Sequence, residues 1–161
     1  MFRSRTPDPV FDYISPQDPA VDDGAIEPKA LEKYLQTLDS GLIEHALVEG
    51  KKPTVFRLAL LPEADRSVVL RESDDERGQV SESVLEERLV AMALRGWENP
   101  QEGAPPWRTV RMGFHRIVAP EVLDYIGPDL GRELSLVLWM LNFPAPGAER
   151  PPSLVEEVEG N

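Results

Sequence analysis

Sixteen prolines in 161 residues decide where this chain can carry regular structure. Proline fixes φ and lacks an N–H, so it is kept out of helix interiors and central strands. Pro7, Pro9, Pro16 and Pro19 crowd the first 27 residues, with Asp22-Asp23-Gly24 close behind, and four more prolines fall within 144–161. Both ends are therefore expected to be extended or irregular, leaving 28–143 as the folded body. Charge divides the chain in the same way. Residues 1–27 hold six acidic and two basic side chains, and 144–161 hold four and one, against 19 and 14 in the body. More than half of the net charge of −12 thus sits in the two ends. Acidic, proline-rich ends suit disordered or partner-bound arms. The first arm also carries Phe2, Val10, Phe11, Tyr13 and Ile14. A loose tail has no use for such side chains, whereas an arm lying along a neighbour does. Phe2, Phe11, Tyr13 and Ile14 are therefore candidate partner contacts.

Hydrophobic spacing divides the body. Pro28 opens a helix carrying Leu31, Tyr34, Leu35, Leu38, Leu42 and Ala46 at helical intervals, with Gly50 as its stop. Residues 53–61 (PTVFRLALL) read as a strand, with 67–71 (SVVLR) as its antiparallel partner across a short turn. A charged loop, 73–79, precedes a second helix, where Ser83 and Glu86 have capping-box spacing and Gly96 is a C′ glycine. Trp97 and Trp107 frame a Pro/Gly loop, which they either pin to the core or border as exposed anchors. A short β segment is expected over 110–118, a brief helix from Pro120 to Tyr125, and a last helix from Pro128 to about Asn142. Trp139 lies beside that helix's apolar stripe and is expected in the core. The resulting fold class is α+β: a small helical domain with a short antiparallel β-hairpin, flanked by extended acidic arms.

Little here points to catalysis. The chain has no cysteine and only two histidines, His45 and His115, so a zinc site of the usual ligand spacing is missing. Asp74-Asp75-Glu76 and Asp22-Asp23-Gly24 do not follow a calcium-loop pattern. The glycines form no phosphate-binding loop. We expect no catalytic residue, metal, cofactor or small-molecule substrate. An acidic chain is also a poor direct partner for nucleic acid. No apolar run spans a bilayer, and the opening MFRSRTPDPVFDY lacks the features of a signal peptide, so synthesis in the cytosol is expected.

The run Leu94-Arg95-Gly96-Trp97-Glu98-Asn99 resembles the GWEN segment that ends a helix in small proteins of tailed-bacteriophage structural gene clusters. Pro120-Glu121-Val122-Leu123-Asp124, then Leu130 through Glu133-Leu134 to Leu141-Asn142, and the upstream Pro53–Leu58 strand are similar to elements of the same proteins. The resemblance covers about residues 53–143. Pro100-Gln101-Glu102-Gly103 departs from it, where an Asp-x-x-Gly loop stands in those proteins. The resemblance implies a tail assembly chaperone or a minor head or neck protein, made in the host bacterial cytoplasm and acting in the virion. Its partners would be other phage structural proteins or copies of itself. The added N-terminal arm favours a component that stays in the particle. The competing expectation is an acidic DNA mimic that inhibits a host nuclease or defence system.

Overall fold

A computed structural model describes residues 7–72, 79, 81–152 and 154. It holds nine main elements: β1 Val10–Ile14, α1 Pro28–Thr37, β2 Val55–Ala59, α2 Glu63–Glu72, α3 Glu82–Ala93, β3 Leu94–Glu98, β4 Thr109–Met112, β5 His115–Val118 and α4 Pro120–Asn142. Three strands form an antiparallel sheet in the order β1-β2-β3, and β4-β5 form a separate antiparallel pair. The α+β class holds.

The N-terminal segment is part of that sheet. Phe11 pairs with Leu58 and Tyr13 with Phe56, making β1 an edge strand on β2. An edge is where a strand bounded by Pro9 and Pro16 can lie without losing ladder hydrogen bonds. The chain then stays on the body: Val21 bridges to Leu47, and the Val48 amide donates to the Ala20 carbonyl. Residues 10–27 thus pack along the protein's own body, and their expected extended arm is in part a sheet strand.

Helix α1 stops at Thr37, well short of the expected Ala46. Leu38 takes a left-handed conformation, φ 52°, and Asp39 accepts from the Gly41 amide to start a 3-10 turn, followed by another at Glu44–Ala46. The TLDSG sequence is rich in residues that bond their own backbone, and this local chemistry outweighs the helical spacing of Leu42 and Ala46.

Residues 67–71 lie in helix α2, not in a strand. Both edges of β2 are already taken, by β1 and β3, so this segment has no strand to join. Its β-branched residues give way to tertiary context. Gly96 likewise ends no helix. Helix α3 finishes at Ala93 and the chain runs directly into β3, where Gly96 lies opposite Arg57.

The two helices expected after residue 120 follow one another as α4, broken at Gly127 (φ 76°, ψ 176°). Pro128 forces the break, since it lacks an N–H and its ring clashes with the preceding turn. Gly127 occupies a region open only to glycine, and a Cβ there meets nothing within 4 Å. Gly127→Ala should therefore destabilise by about 1–3 kcal/mol through backbone strain alone. Denaturant unfolding checks this, and an unchanged midpoint would contradict it.

The core joins Tyr13, Tyr34, Leu58, Leu89, Leu134 and Leu138, all at most 1% exposed. Part of the expected C-terminal tail folds back onto it. Leu154 is buried, and the Arg150 guanidinium donates to the Leu141 carbonyl at the end of α4. Among the described residues, no helix is long and apolar enough to cross a membrane.

Candidate protein-contact surfaces

Five of the six residues expected to touch a partner are placed by the structure, and Phe2 lies outside the described residues. Tyr13 is fully buried. Its ring stacks on Tyr34 at 5.7 Å, and its hydroxyl donates to Glu133 Oε2 at 2.8 Å. Phe11 and Ile14 are half-buried against the same core. The Tyr34 hydroxyl closes the end of β1, accepting from the Ile14 amide at 2.8 Å and donating to its carbonyl at 3.0 Å. Trp97 sits edge-on to Trp107 and to Tyr125, at 5.3 and 5.5 Å, and Tyr125 donates to the Gln101 carbonyl. These aromatics pin the 99–107 loop to the body. Burial and mutual packing thus engage all five within the chain's own fold.

Among the described residues, the most exposed aromatic is a different one. Strands β4 and β5 meet at a two-residue turn, Gly113-Phe114, where Gly113 has φ 63°, the positive value that tight hairpins place on glycine. Phe114 at the tip is 98% exposed and Met112 beside it is 46% exposed. Arg111 and Arg116 lie directly opposite each other across the pair. Like charges at such positions are destabilising. Arg116 donates to Thr109 and Arg111 to the Gly113 carbonyl, but among the described residues neither has a carboxylate in ion-pair reach.

The base of this finger, by contrast, is well anchored. Arg108 makes a two-pronged contact with Glu121, at 2.5 and 2.9 Å, and the hydrogen bonds hold the Glu121 carboxyl below its usual range. The Ala119 amide donates to the Arg108 carbonyl, and β5 packs on α3. A local signal for the finger exists in the sequence. Residues 108–116, RTVRMGFHR, hold three arginines and no acid in a chain of net charge −12.

Several concave surfaces lie on the described body; one runs beside the finger, where Phe114, His115 and Arg116 face Asp8 and Asp65, and two others lie away from it. Of these two, one, of about 420 Å³, lies between the β1–β2 end, the 101–102 loop and the middle of α4, with Phe56 and Leu130 against Asp18, Glu102, Asp129 and Glu133. Its lining contains no lysine, arginine or histidine. The other, of about 480 Å³, runs between α3 and α4 past Leu85, Leu89, Leu136 and Trp139. Trp139, expected in the core, is instead 37% exposed and stacks on Phe143 at 4.4 Å.

The expected acid runs and histidines fall as follows. Asp74, Asp75 and Glu76 lie outside the described residues. His45 Nε2 is 2.9 Å from the Ala25 carbonyl, and His115 Nδ1 is 3.8 Å from Asp65 Oδ1. Among the described residues, no three His, Cys, Asp or Glu side chains converge as metal ligands. No protein-family model, curated protein or solved structure matches the chain.

Proposed function

We propose that this chain is a non-enzymatic assembly protein whose contact element is the β4–β5 finger. The carrying observation is the finger's composition: Phe114 at 98% exposure, flanked by two opposed arginines with no carboxylate in ion-pair reach among the described residues. Local rules broken without compensation inside a fold mark functional positions. Aromatic residues, phenylalanine included, and arginine are both enriched at protein–protein interfaces. The resemblance of residues 53–143 to tailed-phage structural proteins supports placing the assembly in a virion, at the head, neck or tail.

A DNA mimic needs a continuous carboxylate face. Here Arg57, Arg88, Arg95 and Arg108 are interleaved with acids as ion pairs on the surface, which favours the assembly reading. The test is Phe114→Ser. Because the side chain touches solvent almost everywhere, folding stability should stay within about 0.5 kcal/mol of the parent. Incorporation into particles from the producing culture should fall about tenfold or more, corresponding to the loss of one hot-spot side chain.

A further inference from the structure

We propose that the partner of the finger is the acidic groove of a second copy of this chain, giving a head-to-tail contact. The inference rests on the finger being a contact element and goes on to name what receives it. Two surpluses of opposite sign are built into the same molecule. The finger presents Arg111 and Arg116 around an exposed phenylalanine, with no carboxylate in ion-pair reach among the described residues. The groove presents Asp18, Glu102, Asp129 and Glu133 around Phe56 and Leu130, with no cation among its lining residues.

The carboxylates differ in how committed they already are. Asp18 accepts from the Ala20 and Thr54 amides, and Glu133 Oε2 accepts from Tyr13. Glu102, Asp129 and Glu133 Oε1 have no such bond among the described residues, so they remain for an incoming guanidinium. Arginine's planar fork matches that role. The cavity volume of about 420 Å³ is within the ~300–1,000 Å³ typical of small-molecule pockets, which leaves room for one aromatic side chain. Its lining mixes apolar and acidic side chains, and the finger mixes an apolar tip with basic flanks.

The two surfaces do not meet within one chain. Phe114 is 98% exposed, and the groove's lining shares no residue with the finger. Bringing them together takes another copy. Such a contact joins different patches on the two molecules, so it propagates into a ring or a filament instead of stopping at a symmetric dimer. A tip with two ion pairs is far smaller than a standard interface of ~1,600 Å². Each contact is therefore weak alone, and it gains strength when many are linked in one assembly.

Sedimentation equilibrium on the purified full chain tests this. The wild type should self-associate beyond a dimer as concentration rises, and less so in high salt, which screens exposed charges. A finger variant (Arg111→Ala with Phe114→Ser) and a groove variant (Glu102→Lys with Asp129→Lys) should each weaken self-association about 30-fold or more. Mixed one to one, they should form a capped heterodimer of wild-type affinity, because one carries the intact groove and the other the intact finger. Circular dichroism and thermal unfolding confirm that both variants are folded. A wild type that stays monomeric at all concentrations overturns the proposal, as does a mixture that fails to pair. If the wild type is monomeric yet Phe114→Ser still loses particle incorporation, the assembly reading stands and the partner is a different protein.

Discussion

Asn142→Ala should cost about 3–4 kcal/mol, more than any surface change in this protein. Asn142 is 1% exposed at the last turn of α4. Its Oδ1 accepts from the Leu61 amide at 2.7 Å, and its Nδ2 donates to the Ala59 and Leu138 carbonyls at 3.2 and 3.0 Å. One side chain therefore satisfies both backbone groups where β2 ends and the chain turns toward α2. Alanine strands the Leu61 N–H and the Ala59 C=O in the interior, at about 1–3 kcal/mol each. For a chain of this size the melting temperature should drop by roughly 10 °C, at ~2–4 °C per kcal/mol. Asn142→Asp keeps the acceptor for Leu61 but turns a carboxylate toward two carbonyls, so it should be at least as damaging. Urea unfolding of the two variants is the check. A loss under 1 kcal/mol for Asn142→Ala would show that the junction relaxes or admits water.

Alkaline pH should unfold the protein steeply, because two buried tyrosines cannot ionise in place. Burial raises the Tyr13 hydroxyl far above its ordinary value of 10.0, and the Glu133 carboxylate that accepts its proton raises it further. Burial also raises Tyr34, against the opposing pull of the Ile14 hydrogen bond. A group whose pKa is higher folded than unfolded contributes stability fully below the unfolded value and loses it as pH rises beyond. The native state keeps both protons above pH 10, whereas the unfolded chain releases them. Stability should therefore fall above about pH 10 with a slope approaching 1.4 kcal/mol per pH unit for each tyrosine. Urea midpoints measured from pH 8 to 11 read that slope, and Tyr34→Phe should remove one tyrosine's share. Equal slopes in the parent and the variant would contradict the assignment.

What the sequence made legible follows from how local each feature is. The β segment at 110–118 and the restart of α4 at Pro128 depend on residues a few positions apart. The restart reads correctly, while the single β segment expected at 110–118 is two antiparallel strands around a Gly113-Phe114 turn. The partner of β2 does not read correctly. Val55–Ala59 pairs with residues about 45 positions upstream and 40 downstream, and no local signal says which segment takes which edge. Without that knowledge, the β-branched run at 67–71 looks like the natural partner and the proline-flanked 10–14 looks like an arm. The alternation of Phe11 and Tyr13 against Val10 and Asp12 was the available evidence for a strand. The finger is the reverse case. Its ingredients are contiguous, whereas the tryptophans, large aromatics of the kind that anchor interfaces, are held within the fold. Asn142 was visible only as a helix end. Its role comes from contacts with Ala59 and Leu61, more than 80 positions away.

The most direct test of the finger as an assembly contact is quantitative mass spectrometry of purified particles from producing cultures carrying the wild type or Phe114→Ser. The account predicts the wild-type chain at a fixed copy number per particle and the variant, equally stable in solution, depleted about tenfold or more. A wild-type chain found only outside the particles, or a variant present at the wild-type copy number, would contradict it.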